Sequence, residues 1–308
     1  MLDTPRIRFA AKPAPRLPIE EMVLGKSRRE VAELVPRLFN LCRTAQSLAV
    51  CAALDLPTAD DAAALRQEII RDHVLRLSVV LPRHFGSSPI RLPEGWQSGG
   101  ASLRQALFGP SVRLPETPAD FESFLTSGAA IASLWAKVAG LFAHGQGMSR
   151  GLGVGMSEAL SFVSVETAAD PRARVENSCA LRVADHPVVA HVAASTGQKR
   201  SLLWRLVARS YDLEKLLNHA PLMQATPHRG RAHVPATRGL YTVSAEYDGE
   251  KVTRFARVTP TDHLSAPGGV LEQVLATIPP ERAAVLPVVM DILDPCSPID
   301  VQEVPSYA

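Results

Sequence analysis

The stretch Leu-Asp-Pro-Cys-Ser-Pro-Ile-Asp at residues 293–300 places Cys296 directly after an Asp-Pro pair, close to the end of the chain. A second segment, Pro-Arg-Leu-Phe-Asn-Leu-Cys at residues 36–42, places Cys42 near the beginning. Thiolates are strong ligands for soft transition metals, so each of these two cysteines is a candidate metal ligand. Two such ligands form one site only if the fold brings the two cysteines together, and we therefore expect the ends of the chain to meet.

The composition indicates a globular protein with a sizeable core. The chain has 308 residues, of which 46% are hydrophobic and 21% charged, and this combination is typical of folded domains. Its 33 Lys and Arg residues against 31 Asp and Glu residues give a formal net charge of +2. With no long basic run, the chain lacks the charge pattern of a nucleic-acid-binding protein.

The cysteines and the apolar segments indicate a reduced, cytoplasmic protein. The four cysteines at positions 42, 51, 179 and 296 make no closely spaced pair, so we expect thiols rather than disulfides. The first 20 residues are basic and rich in proline, without the apolar core of a secretory leader. The most apolar stretch, residues 129–143, is interrupted by Lys137 and is too short to cross a bilayer. We therefore expect no membrane partner.

Hydrophobic spacing predicts helices over most of the chain. Ser27 and Glu30 fit a capping box, and apolar residues then recur every three or four positions as far as Ala52. This pattern predicts an amphipathic helix that breaks or restarts at Pro36, with Cys42 on its apolar stripe. Other segments with helical spacing are residues 58–82, 118–144, 201–219 and 269–278.

The β signals are fewer and lie mainly near the C-terminus. Alternating apolar residues at 241–247 lead into Asp248-Gly249, and residues 252–258 return, which predicts a hairpin. The predicted fold class is mainly α with a small β element (α+β), in a single domain spanning residues 1–308.

Three further segments are predicted to lack regular helical structure. Residues 285–292 read as an extended apolar piece that leads into the Asp-Pro-Cys segment, and residues 1–20 as an irregular or weakly extended start. The glycine-rich stretch 145–155 matches neither the dinucleotide-binding nor the P-loop spacing, so we interpret it as a flexible connection.

Two blocks, residues 24–85 and 236–301, resemble the large subunit of [NiFe]-hydrogenases. Those enzymes hold nickel and iron with an N-terminal Arg-x-Cys-Gly-x-Cys and a C-terminal Asp-Pro-Cys-x-x-Cys-x-x-His. In this chain Phe39 stands at the first N-terminal cysteine, Ile299 at the second C-terminal cysteine, and Gln302 at the histidine. One cysteine remains at each end.

The remaining motifs of the two blocks follow the same resemblance. Ala-Thr-Arg-Gly at 236–239 is similar to Ala-Pro-Arg-Gly, whose arginine overhangs the metals. Residues 260–267 match Pro-Thr-Thr-Trp-Asn-x-x-Pro in frame, and residues 68–77 look like the segment Glu-x-x-x-Ser-His-x-x-His. With the iron-side elements kept and the nickel-side cysteines absent, the chain resembles the hydrogenase-assembly scaffolds called HupK or HoxV.

The resemblance implies a protein that holds a cofactor precursor without turning over a substrate. Cys42 and Cys296 would bind iron as the Fe(CN)2CO unit, while Arg238 and Thr261 would donate hydrogen bonds to its cyanides. Nickel is not expected, nor is hydrogenase activity or trimming of the C-terminus. The implied partners are the hydrogenase large subunit and small maturation chaperones of the HypC and HypD type.

Two other functions remain open at this stage. A metal-free decoy of the large subunit could dock chaperones or regulate assembly, although the two retained cysteines argue against it. An enzyme with a nucleophilic cysteine is less favoured, because no activating His-Asp arrangement lies near either thiol.

Each candidate residue also has a purely structural interpretation. Arg238 could be a solvated residue at a hairpin edge, Thr261 could cap a turn, and Asp294 could end a strand. His73 and Glu68 could form a buried polar contact. The cysteines outside any motif, Cys51 and Cys179, are interpreted as core thiols. The remaining histidines show no metal-ligand spacing, and they include His186, His191, His228 and His233.

Overall fold

The computed structural model describes residues 6–39, 41–58, 61–150, 169–220, 222, 226–228 and 230–306. The α-helices are α1 (Ile19–Val23), α2 (Arg28–Leu34), α3 (Arg43–Ala53), α4 (Ala62–Leu75), α5 (Leu81–Arg83), α6 (Ala101–Phe108), α7 (Pro118–Leu125), α8 (Ala130–Leu141), α9 (Pro187–Ala194), α10 (Leu202–Leu217), α11 (Pro260–Leu264), α12 (Val270–Ala276) and α13 (Leu286–Leu293). The strands are β1 (Arg6–Pro13), β2 (Met148–Ser149), β3 (Arg200–Ser201), β4 (Thr226–His228), β5 (Arg231–Ala236), β6 (Gly239–Asp248), β7 (Lys251–Val258) and β8 (Ile299–Ser306). The shorter turns are the 3-10 segments Val35–Arg37, Trp96–Ser98, Cys179–Val183 and Pro280–Val285, and the π-type segment Arg76–Val80.

Helices dominate the architecture, and the strands form small antiparallel sheets. Strands β4 to β7 make one sheet in sequence order, in which β6 and β7 form the hairpin predicted at Asp248-Gly249. Strands β2 and β3 form a two-stranded pair. The predicted class, mainly α with a small β element, is confirmed.

Strands β1 and β8 join the two ends of the chain. Phe9 pairs with Glu303 and Pro13 with Ile299 in an antiparallel register, and Phe9 is buried in the core. Of the irregular or weakly extended start predicted for residues 1–20, the extended alternative agrees with the strand over Arg6–Pro13. Only the return of the distant C-terminal segment gives β1 its hydrogen-bond partners.

Helix α10 is the central element of the core. Ser201 caps its N-terminus by accepting a hydrogen bond from the amide of Trp204. Nearly every side chain from Leu202 to Leu217 is buried, and α4, α8, α9, α13 and the Cys179–Val183 turn pack around it. The helix predicted over residues 201–219 is confirmed.

The N-terminal helix differs from its prediction. Helix α2 gives way to a 3-10 turn at Pro36, and α3 begins only at Arg43. Cys42 is the N-cap residue of α3, with a left-handed φ of 53°, so its predicted position on an apolar helical stripe was wrong.

Two other helix predictions need correction. The helix predicted over 118–144 is interrupted between α7 and α8, where Gly128 adopts a φ of +77°. The segment predicted to be extended at 285–292 is mostly helix α13. Residues 151–155 of the predicted flexible connection lie outside the described residues.

In the parts of the chain that the structure describes, no single helix has the length and hydropathy needed to span a membrane. Helices α7 and α8 meet the criterion only when taken together, across a bend of 92°.

Candidate metal centre

Cys42 is presented by a turn that other side chains hold in place. Glu68 on α4 accepts hydrogen bonds from the amides of Thr44, at 2.8 Å, and Ala45, at 3.3 Å. It thereby supplies the N-terminal cap of α3 that Cys42 itself does not provide. The Gln46 side chain donates to the carbonyl of Leu41 at 2.7 Å and fixes the residue before the cysteine. Glu68 therefore supports the Cys42 turn. The alternative interpretation, a polar contact between Glu68 and His73, is wrong.

The Cys42 thiol lies in a largely desolvated position. Burial raises its pKa to about 11, and the Arg238 guanidinium opposes this rise. The Nη1 atom of Arg238 lies 3.6 Å from the Cys42 sulfur. At neutral pH the thiol is therefore protonated, and a metal must displace its proton.

Cys296 lies between α13 and β8 and is held by Thr261. The hydroxyl of Thr261 donates to the Cys296 sulfur at 3.0 Å, and it accepts from the Cys296 amide at 2.8 Å. Thr261 is itself buried in α11, whose cap is Thr259 with Asp262 in a capping box. Thr261 therefore does not cap this turn. Its hydroxyl contacts a predicted ligand directly.

Arg238 connects the two halves of the site. It lies in the turn between β5 and β6 and is only 6% exposed, so it is not a solvated hairpin-edge residue. Its Nε donates to the carbonyl of Asp294 at 2.9 Å, and its Nη2 donates to the Asp294 carboxylate at 3.0 Å. The structure thus brings Cys42 and the Asp-Pro-Cys segment to one guanidinium.

Gly239, the residue after Arg238, is required by a close backbone approach. A Cβ atom at this position would lie 2.5 Å from the carbonyl oxygen of Asn177. The Asn177 side chain in turn accepts from the Leu240 amide at 2.7 Å. This contact explains physically why glycine follows the arginine in the Ala-Thr-Arg-Gly segment.

Asp294 is a buried hub, a role that the sequence analysis did not assign to it. It ends α13 in a left-handed conformation, with a φ of 54°, so it does not end a strand. Its carboxylate pairs with Arg238 and Arg76 on one oxygen and with Arg209, at 3.0 Å, on the other. Burial alone would raise its pKa, but the guanidinium groups of Arg209 and Arg238 lower it overall. The group is therefore a carboxylate at neutral pH.

His73 belongs to a second buried cluster behind the site. Its Nε2 lies 2.7 Å from the carboxylate of Asp212, which also binds Arg182 through both oxygens. His73, Asp212 and Cys179 place potential ligand atoms within 4.8 Å of one another. Arg182 and Arg209 contact the same groups, however, and their positive charges disfavour a cation there.

A small cavity of about 30 Å³ lies beside Arg238, which is room for roughly one water-sized molecule. Its lining includes Cys179, Arg209, Arg238, Thr261 and Asp294. Neither Cys42 nor Cys296 is among its lining residues.

The two residues that stand where the hydrogenase motifs have further cysteines, Phe39 and Ile299, make ordinary packing contacts. The guanidinium of Arg257 covers the Phe39 ring at 4.1 Å, and Ile299 begins β8 opposite Pro13. Cys51 lies on α3 and Cys179 in a buried 3-10 turn, and burial raises the pKa of both thiols. All four cysteines are free thiols.

The sequence contains a signal for some of the buried charges. Arg205, Arg209 and Asp212 lie among apolar residues in a segment with helical spacing, and all three are buried in α10. Buried charged residues must find partners. This signal points to Arg209 and Asp212, whereas Asp72, Arg76, Arg182 and the role of Asp294 were missed for other reasons.

Comparison with known proteins gives one full-length relative and several structural neighbours. The chain is 41% identical over 300 residues to the hydrogenase expression/formation protein HupK of Rhodobacter capsulatus, which covers 97% of this chain and 94% of that protein. No protein-family model matches the chain.

Solved hydrogenase structures share the fold. The as-isolated, oxidized Ni-Fe-Se hydrogenase of Desulfovibrio vulgaris Hildenborough superposes with a TM-score of 0.59 at 15% identity, covering 96% of this chain and 94% of that one. The reduced, active Ni-Fe-Se hydrogenase of Desulfomicrobium baculatum gives a TM-score of 0.54 at 14% identity, covering 95% and 97%. The chain therefore has the hydrogenase large-subunit fold, which the resemblance of residues 24–85 and 236–301 implied.

Proposed function

Since the chain belongs to the family of the hydrogenase expression/formation protein HupK, we propose that it is an accessory protein of [NiFe]-hydrogenase maturation that holds the Fe(CN)2CO precursor. Cys42 and Cys296 bind the iron, and the unit then passes to the hydrogenase large subunit. The observation that carries this proposal is the position of Arg238, which contacts the Cys42 sulfur at 3.6 Å and the Asp294 carboxylate at 3.0 Å.

The donor set suits this iron unit. Low-spin iron with CO and cyanide ligands is well matched to soft, anionic thiolates. Cyanide nitrogens accept hydrogen bonds, and Arg238 offers a guanidinium that keeps its charge. The Thr261 hydroxyl donates to Cys296 in the described site, so it supports the thiolate and can reach a cyanide only after rotating.

The local charge places one guanidinium beside the proposed cargo. Three guanidinium groups, from Arg76, Arg209 and Arg238, pair with three carboxylates, from Asp72, Asp291 and Asp294, in one ion-pair cluster without net charge. The dicyano iron unit bound to two thiolates is an anion, and the Arg238 guanidinium beside the Cys42 sulfur would stabilise it.

The two thiolates that would belong to nickel alone are missing from this chain. Phe39 and Ile299 occupy the positions at which the resemblance places the nickel-specific cysteines, and neither side chain offers a donor atom. We propose that the protein loads no nickel and has no hydrogenase activity. Stoichiometric nickel in the purified protein would contradict this.

The proposal is tested by infrared spectroscopy of protein purified without oxygen from cells that make hydrogenase. We expect CO and cyanide stretching bands together with one iron per chain. Cys42→Ala and Cys296→Ala should remove both and impair hydrogenase maturation, because either change leaves the iron on a single protein ligand. Cys51→Ala and Cys179→Ala are the matched controls, each at a cost of about 1 kcal/mol in packing, and should keep both.

Two results would replace this proposal. If the Cys42 and Cys296 variants kept their bands, the iron would be held elsewhere. If the unsubstituted protein never carried iron but still supported maturation, the metal-free decoy would be the better account. Co-purification with the HypC and HypD type chaperones, proposed as donors of the unit, would then measure docking alone.

A further inference from the structure

Buried charged groups fix the turn that contains Arg238. Arg182 donates from Nη1 to the carbonyl of Ala236, two residues before Arg238, at 2.9 Å. The same guanidinium holds Asp212 at 2.8 and 2.5 Å, and Asp212 lies 2.7 Å from His73. The network of Arg182, Asp212 and His73 therefore fixes the backbone of the turn that contains Arg238.

Arg209 extends this network to the other half of the site. Its Nη1 lies 3.5 Å from Nδ1 of His73 and 3.0 Å from the carboxylate of Asp294. The partners define the histidine tautomer: Nε2 donates to the Asp212 carboxylate, so Nδ1 is left to accept from Arg209. Burial lowers the pKa of His73, which agrees with a neutral ring. Arg209 thus lies between the histidine and the carboxylate that holds Arg238.

We propose that Arg209 is a positioning residue for cofactor capture, which fixes Asp294 and thereby aims the Arg238 guanidinium at the iron-bound cyanides. This inference rests on the proposed function. It assigns a role to a residue outside the Cys42 and Cys296 motifs. Arg238 would otherwise share Asp294 with Arg76 alone, and Arg76 is also drawn outward by Asp291 at 2.7 Å.

The substitution Arg209→Lys separates positioning from charge. It keeps the positive charge but replaces the planar guanidinium, whose Nη1 contacts both His73 and Asp294, by a compact ammonium on a flexible stem. The matched control is Arg205→Lys. Arg205 lies one turn earlier on α10, is equally buried at 5% exposure, and pairs with Glu176 instead of Asp294.

The expected result is a change in the bound unit and not only in stability. With Arg238 less well aimed, the cyanides give up less electron density through hydrogen bonds, so iron donates more into the CO ligand. The CO band of Arg209→Lys should therefore move to lower wavenumber, and iron occupancy should fall by about tenfold, as for other residues that orient metal ligands indirectly. Arg205→Lys should show the spectrum of the unsubstituted protein.

The outcomes distinguish this inference from the function on which it rests. Bands in the unsubstituted protein that stay unchanged in Arg209→Lys would overturn the positioning role and leave the proposed function standing. Absence of bands from the unsubstituted protein would overturn both. If Arg209→Lys failed to fold, His73→Gln would decide the question. Its amide can still reach Asp212, but Arg209 loses its imidazole partner, so the CO band should shift in the same direction by less, and an unshifted band would refute the inference.

Discussion

At the scale of single residues, both halves of the site contain a strained backbone position. Cys42 and Asp294 adopt left-handed φ values of 53° and 54°, a conformation that costs a non-glycine residue about 1–2 kcal/mol. Strain of this kind persists where the surrounding structure over-determines it, and it often lies at functional sites. Here Glu68 fixes the turn after Cys42, and arginine side chains fix Asp294.

Thr261→Val should weaken the C-terminal half of the site. The substitution keeps the shape but removes the hydrogen bonds to the sulfur and amide of Cys296. We expect a loss of about 1–3 kcal/mol in the free energy of unfolding, because the Cys296 amide is left without its partner, and a clear fall in iron occupancy. Thr261→Ser keeps the hydroxyl and should restore most of both. Equal iron contents in the valine and serine variants would show that the hydroxyl has no role in binding.

Gly239→Ala should displace the Arg238 turn. The added Cβ would meet the Asn177 carbonyl at 2.5 Å, an overlap that backbone movement must relieve at about 1–3 kcal/mol. We expect lower iron occupancy together with this loss, measured by metal analysis and urea unfolding. Gly249→Ala is the control, since it also lies in a hairpin and has a φ of +56°, but nothing lies within 4 Å of its added Cβ. Iron loss in Gly249→Ala as well would point to a general effect of hairpin strain.

At the scale of elements, the local sequence pattern predicted correctly those helices and turns whose structure is decided by neighbouring residues. The 3.6-residue spacing predicted α4, α10 and α12, and the Asp-Gly turn predicted the β6–β7 hairpin. It failed for α13, because a short, continuous apolar run does not distinguish a buried helix from a buried strand. For β1 it predicted no more than an irregular or weakly extended start, because the partner strand lies at the other end of the chain.

Glu68 makes a testable link between two elements. Glu68→Ala removes the carboxylate that caps α3 from α4, so the free energy of unfolding should fall by about 1 kcal/mol, as for a lost N-cap. The Cys42 turn should become less well fixed, and iron occupancy should fall with it. Gln67→Ala is the matched control. It removes the neighbouring side chain of the same helix, which bonds only the exposed carbonyl of Gln97, and it should keep full iron occupancy. A lower occupancy in both variants would indicate a general weakening of α4.

At the scale of the whole molecule, the motifs identified the ends of the site but not what joins them. Cys42, Arg238, Thr261 and Cys296 were all selected from the sequence, and the structure places them around one cluster. The groups that hold this cluster come from α4, α10 and the turn at Cys179–Val183. Their pairing depends on contacts between residues 30 to 218 positions apart, which no local spacing encodes.

This buried network should give the protein a characteristic dependence of stability on pH. Burial lowers the pKa of His73 below its ordinary value of about 6.5. The folded state keeps the ring neutral, and the unfolded chain binds a proton below about pH 6.5. Stability is therefore full above this pH and falls on acidification, by at most about 1.4 kcal/mol per pH unit for one group.

The carboxylates of the network add a second loss at lower pH. Burial alone would raise the pKa of Asp212, but Arg182 and His73 lower it overall, and arginines do the same for Asp294. Their stabilising effect is present above the unfolded pKa, about 3.9, and disappears as pH falls further.

Urea midpoints measured between pH 8 and pH 4 should be constant at first and then fall below about pH 6.5. In the His73→Gln variant the urea midpoint should fall less steeply between pH 6.5 and 5, while the loss near pH 4 should stay. His186, whose pKa burial also lowers, should give the remaining slope. A midpoint that rose on acidification, or an unchanged slope in the glutamine variant, would show that His73 is not buried as a neutral ring.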